Sequence, residues 1–244
     1  MNALHMPRVS LRYWLTITMA SLLGTNLGDL YAHTLKLGVY LGVALLAVLA
    51  AAVFVAEKRD AAPRLLYYWL VIVIIRTGAT NIADYTSHRL HWPDLPLCLG
   101  LAAIIAGFGA LSLRGKAASA DGSIMPDTGV AYWIAMLGAG VFGTVLGDIC
   151  SGMVGQGLAS LALGALLLLL VAVWQIGGGL RFALSWLVVA VARTAGTAMG
   201  DWLAENKLLN IGLPLSTAIT GVAFILCTLV VAQRQRALAA VPAA

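Results

Sequence analysis

The feature that most limits how this chain can fold is a spacing. Four times, a tryptophan is followed fifteen residues later by an aspartate: Trp14 to Asp29, Trp69 to Asp84, Trp133 to Asp148 and Trp186 to Asp201. Three of these tryptophans directly follow a tyrosine, namely Tyr13, Tyr68 and Tyr132. The chain has only seven tryptophans, so four equal separations mark an internal repeat. Each unit closes on the pattern small-Thr-x-x-small-Asp: GTNLGD at 24–29, ATNIAD at 79–84, GTVLGD at 143–148 and GTAMGD at 196–201. A plain apolar stretch follows each one. Units two and four also share an arginine and a threonine ahead of the motif, Arg76-Thr77 and Arg193-Thr194, where units one and three have Ser21 and Gly140. The chain therefore reads as a duplicated pair, 1–115 and 126–244, joined by the polar, turn-rich stretch 114–128 into one membrane domain.

Composition decides the medium. Of 244 residues 61% are hydrophobic and only 10% charged, too few to coat a soluble domain of this size. A helix that crosses a bilayer needs roughly 20 mostly apolar residues. The apolar stretches predict eight such spans, at about 11–33, 37–56, 65–88, 95–113, 129–152, 157–176, 182–205 and 212–232. The expected fold is thus an all-α integral membrane protein of about eight transmembrane helices, in four parallel two-helix repeats with pseudo-twofold, quasi-fourfold symmetry. The N-terminal run carries Asn26 and Asp29 and lacks a small-residue cleavage pattern, so it reads as the first span and not as a signal peptide.

The net charge of +5 does not point to nucleic acid, because the basic residues form no patch with interleaved aromatics. They sit at helix ends. Arg8, Arg12, Lys58, Arg59, Arg64, Arg114, Lys116, Arg181, Arg234 and Arg236 lie at one set of ends; Lys36, Arg89 and Lys207 lie at the other. That bias predicts cytoplasmic termini. The lipid bilayer is then the first partner, and a homo-oligomer stays open. Cys98, Cys150 and Cys227 lie singly in apolar segments and read as small buried hydrophobes. His5 and His91 fall in a tail and a loop and read as surface residues. Nothing suggests an enzyme: there is no base at a telling distance from a serine or cysteine, no phosphate-binding glycine loop and no H-E-x-x-H.

On a helix, residues four apart share a face. The motif therefore draws two stripes on each of the four helices that carry it. One is small: Gly24/Gly28, Ala79/Ala83, Gly143/Gly147 and Gly196/Gly200, the spacing that lets membrane helices approach closely. The other is polar: Thr25/Asp29, Thr80/Asp84, Thr144/Asp148 and Thr197/Asp201. Four residues further on, the polar stripe reaches His33, His88, Gly152 and Glu205; four residues earlier it reaches Ser21, Arg76, Gly140 and Arg193. Lipid disfavours both stripes, so the motif helices should face one another inside a layer of the other four. The structural readings are packing for the small residues, back-bonding to the preceding turn for the threonines, and interfacial anchoring for Trp14, Trp69, Trp133 and Trp186.

The charged residues carry the functional reading. Arg76 and Arg193 lie about eleven residues into their helices, roughly 16 Å, near the midplane, and the aspartates lie roughly 12 Å farther along. A charge at such depth needs a partner, water or a task. The structural expectation pairs each arginine with an aspartate of a neighbouring helix. The functional expectation is transport of a small ion, most plausibly a divalent metal cation. Asp29, Asp84, Asp148 and Asp201 would supply hard oxygens, and His33, His88 and Glu205 further ligands. No resident cofactor is expected. In the anionic alternative Arg76 and Arg193 bind the substrate, and in the structural one the chain is a membrane subunit without transport.

The four units closing on GTNLGD, ATNIAD, GTVLGD and GTAMGD resemble the bacterial membrane-anchored proteins defined by a four-times repeated segment of unknown function. The resemblance runs from Tyr13 to about Thr228. It implies a bacterial inner-membrane location and no particular activity. Ala79 for glycine, and Gly152 where the other units have His or Glu, depart from a strict fourfold pattern.

Overall fold

A computed structural model describes residues 6–34, 38–60, 62, 64–113 and 128–239, with side chains described as far as residue 233. Eight long helices account for nearly all of it: α1 (Leu11–Asp29), α2 (Val39–Arg59), α3 (Leu65–Asp84), α4 (Asp94–Leu111), α5 (Val130–Val154), α6 (Gln156–Ile176), α7 (Arg181–Glu205) and α8 (Gly212–Ala239). No strand occurs among the described residues. The helices fall within a few residues of the predicted spans, except that α8 runs seven residues past its predicted end at 232. The joining segment, apart from Thr128, lies outside the described residues, as do His5 and Lys36.

Seven of the eight helices are long and apolar enough to cross a membrane, consistent with a multi-pass membrane protein. The exception is α1, and its surroundings explain why. Thr16, Thr18, Ser21, Thr25 and Asn26 dilute its hydropathy, but all five are buried against other helices. A helix whose polar side chains are covered by protein need not be apolar.

The four motif helices close a ring. α1 packs on α3, α3 on α5, α5 on α7, and α7 back on α1. The others form an outer layer, each covering the motif helix of the following unit: α2 on α3, α4 on α5, α6 on α7 and, joining the two ends of the chain, α8 on α1. Only Gly42 of α2 is buried, and Ala159, Ser160 and Leu167 of α6, whereas each motif helix buries eleven to thirteen residues. Many leucines and valines of the outer layer stay exposed, as a lipid-facing surface requires. Between α5 and α6 the chain turns on a single residue, Gly155, at a φ of 85° that a side chain would strain. At the α2–α3 turn, Asp60 accepts from the Ala62 amide and the Tyr67 hydroxyl and pairs with Arg64 at 2.8 Å. The amide, then the hydroxyl, holds its carboxyl below the ordinary value.

The small stripe is the ring's contact surface. Gly24 abuts the stem of Arg76, Gly143 that of Arg193, and Gly196 the Cβ of Ser21. In each case the first small residue of a motif meets the polar-stripe residue of the next helix. The fourth contact is reversed: Ala79 keeps its methyl, and the facing residue is Gly140, where a Cβ would come within 2.6 Å of the Ala79 Cβ. The two departures from the repeat compensate each other. One turn on, Gly28 and Gly147 leave room for the Cβ atoms of Thr80 and Thr197, each of which would lie 2.8 Å from an added methyl.

Three of the four repeat tryptophans are packed in protein and not exposed, unlike the interfacial anchors the sequence suggested. Trp14, Trp69 and Trp186 are buried in the ring. Trp69, Trp133 and Trp186 each stack beside the tyrosine of the preceding unit, with ring centroids 5.7, 5.8 and 5.8 Å apart. Closure of the ring turned these residues inward.

The paired exchange at the α3–α5 contact is testable. Gly140→Ala should destabilise the detergent-solubilised protein by about 1–3 kcal/mol through overpacking. Adding Ala79→Gly should restore most of the loss, measured as the thermal midpoint of each variant and of the double.

Candidate functional site

The polar stripes of all four motif helices meet on the axis of the ring, in layers. The central layer is one guanidinium. Arg76 is fully buried. Its Nη1 donates to Thr80 at 2.8 Å and Thr144 at 2.9 Å, and its Nη2 donates to Thr25 and Thr197, both at 2.6 Å. The four motif threonines, one from each helix, thus hold a single arginine. Each threonine hydroxyl in turn donates to the carbonyl one turn earlier on its own helix, at 3.0–3.4 Å. The back-bonding expected of these threonines is present, and it aims their lone pairs at the axis.

The expected arginine–aspartate pairs do not form: among the described residues neither Arg76 nor Arg193 has a carboxylate within ion-pair distance. Helical rise explains it. Thr80 lies one turn above Arg76, roughly 6 Å, which an extended arginine spans; Asp84 lies roughly 12 Å above, beyond its reach.

Arg193 occupies the matching position in its own unit and is equally buried, yet its setting differs. One terminal nitrogen donates to Ser21 at 3.2 Å and the other lies 4.0 Å from the sulfur of Met136. Nε has no partner in either arginine. The residues beside the two arginines also differ. Arg76 passes over Gly140, where an added Cβ would lie 4.0 Å from its Cδ. The corresponding residue beside Arg193 is Ser21, which occupies that space and takes its hydrogen bond. At the N-terminal end of the ring the hydroxyls of Tyr13, Tyr68 and Tyr132 form a buried chain, 2.8 and 2.5 Å long. The fourth unit has Ser185 there instead, which accepts from Trp174 at 2.9 Å.

On the other side of the arginine lies a cavity of about 900 Å³, open on one side. Thr25, Thr80, Thr144 and Thr197 form its floor, and Asp29, Asp84, Asp148 and Asp201 line its wall, with His33, His88 and Glu205 farther out. All of the sequence-predicted site residues except the two arginines therefore line one space. Among the described residues, none of the four aspartates has a hydrogen bond or ion pair. Glu205 accepts from Gln156 at 2.6 Å, a partner the repeat did not reveal. His33 and His88 are electrostatic neighbours of Asp84.

The seven residues read as metal ligands share the cavity but not a coordination sphere: no group of three or more described His, Cys, Asp or Glu side chains is arranged to hold a metal ion. The ring keeps the aspartates on four separate helices. In addition α1 and α3 widen into π turns, Leu30–Thr34 and Tyr85–Arg89, directly after their aspartates. The residues after Asp29 and Asp84 thereby leave the α-helical register on which the Asp-x-x-x-His pairing rested. α5 and α7 remain regular through the corresponding stretch.

Two stretches of the chain, 12–61 and 185–237, match the family model of a repeat of unknown function. They cover α1 with α2 and α7 with α8, the first and last of the units. No curated protein and no solved structure matches the chain.

The threonine layer gives a direct test. Thr144→Val keeps the shape and removes the acceptor, leaving a buried guanidinium N–H unpaired. It should lower stability by about 1–3 kcal/mol. Thr144→Ser keeps the hydroxyl and should cost less, as read from thermal midpoints in detergent.

Proposed function

We propose that this chain is a membrane transporter of a small cation, which it binds in the aspartate-lined cavity. The single observation behind this reading is that four carboxylates, one from each motif helix, face a common space with no hydrogen bond or ion pair among the described residues. A charged group in a membrane segment is disfavoured by roughly 2.5–3.5 kcal/mol on insertion scales, so four unpartnered ones imply a function for them. A divalent metal ion, the cation expected from the sequence, would keep much of its water here, since no three ligands converge. The anionic alternative is weakened, because the terminal nitrogens of Arg76 are already committed to threonines.

The proposed setting is the bacterial inner membrane, with both termini cytoplasmic and the cavity open to the outside. The four parallel units would surround a pseudo-twofold axis along the membrane normal, with α1–α4 and α5–α8 as its halves. The Arg76–threonine layer, Arg193 and the tyrosine chain close the inner side of that axis. Transport then requires these layers to part while the vestibule narrows, as in alternating access between parallel halves.

Proteoliposomes loaded against Mn²⁺, Zn²⁺, Na⁺ and a chloride control test the reading. Cation flux should be present in the wild type. It should fall by an order of magnitude in Asp29→Asn/Asp148→Asn, a change that leaves size and helicity intact. Anion flux lost in Arg193→Gln, with the carboxylate variant unaffected, would overturn it.

A further inference from the structure

The floor of the vestibule is a cation site that the protein fills itself. A guanidinium has no acceptor, so in all four contacts with Arg76 the threonine oxygen must accept. Their own protons are directed at carbonyls one turn back. What faces the axis is therefore a ring of four oxygens that can only accept, drawn from four helices. Such a ring suits a planar or tetrahedral cation with several N–H donors. It offers nothing to an anion, and only neutral oxygens to a metal ion. The cavity above adds four carboxylates that make no hydrogen bond or ion pair among the described residues, against one guanidinium, Arg89, in its lining. Its volume of about 900 Å³ far exceeds a bare ion, and it lacks a converging metal-ligand set. Space, charge and donor demand all describe a polyatomic cation.

We propose that the vestibule and the threonine ring together recognise a small organic cation of the guanidinium or primary-ammonium class, and that Arg76 is a tethered stand-in for it. The inference rests on the cation-transport reading and narrows it. Asp29, Asp84, Asp148 and Asp201 draw the cation in, and the ring receives its donors when Arg76 withdraws. Withdrawal would break only the four threonine contacts, because the Arg76 Nε makes no bond.

Two measurements test this. In the first, detergent-solubilised Arg76→Ala is melted with guanidinium, methylguanidinium, K⁺ or Mg²⁺ at low millimolar concentration and equal ionic strength. Guanidinium and methylguanidinium should raise its midpoint by several degrees, K⁺ and Mg²⁺ should not, and the wild type, with its ring filled, should not respond. Equal shifts with every cation, or none with any, would overturn the ring as a guanidinium site. Should Arg76→Ala fail to fold, Arg76→Ala/Arg193→Gln expressed in the presence of guanidinium serves the same comparison through folded yield: a selective gain supports the site and equal yields refute it. In the second, wild-type proteoliposomes are offered agmatine and methylguanidinium beside Mn²⁺ and Zn²⁺. Flux of the organic cations, lost in Asp29→Asn/Asp148→Asn, supports the proposal. Flux of the metals alone overturns it and leaves the cation reading standing. Flux of neither class removes the cation reading itself.

Discussion

One guanidinium held by four hydroxyls is the interaction on which the rest of the structure depends. Arg76 is buried near the middle of the ring, where a charge without partners would be intolerable. Its bonds to Thr25, Thr80, Thr144 and Thr197 tie all four motif helices to one point. The small stripe makes that possible: only with glycine or alanine at the contacts do the helices come close enough for four threonines to reach one side chain. The threonines then carry out two tasks at once, accepting from the arginine and back-bonding to their own helices, so no hydroxyl is left idle.

Using hydroxyls instead of carboxylates to hold the arginine has a consequence one turn away. The aspartates are not drawn into ion pairs and remain available to the cavity. A buried arginine–aspartate pair would have been a structural crosslink. Here neutral oxygens hold the arginine, and the carboxylates line the cavity. The same separation places a fixed positive charge under an acidic wall, which in the proposed transporter would admit cations to the vestibule and resist their free passage beyond it.

The repeat is therefore unequal in a useful way. Arg76 and Arg193 start from matching positions, but a ring of four acceptors takes one guanidinium. Arg76 takes the threonines, and Ser21 and Met136 hold Arg193 at the lower level. The Ala79–Gly140 exchange and the missing fourth tyrosine at Ser185 likewise look like defects when single units are aligned. Only Ser185 breaks a layer; the other exchange is repaired by its neighbour across the α3–α5 contact.

By itself the sequence determined the elements and their faces. Eight apolar stretches gave the helices to within a few residues, the far end of α8 apart, because hydrocarbon permits little else. The fourfold spacing assigned the motif faces inward, because lipid rejects both small and polar stripes. The aspartates, threonines and arginines were legible as candidates for that reason. Partners were not. Which oxygen Arg76 meets depends on the closing of α7 onto α1 and on a rise of one turn against two, and residues as far apart as Arg76 and Thr197 meet only in three dimensions. Burial of the tryptophans, the chain of tyrosine hydroxyls and the π turns after Asp29 and Asp84 were likewise decided by tertiary packing. A periodic pattern fixes the face on which a side chain lies, whereas contact requires the distances between helices, and these the closed ring alone supplies.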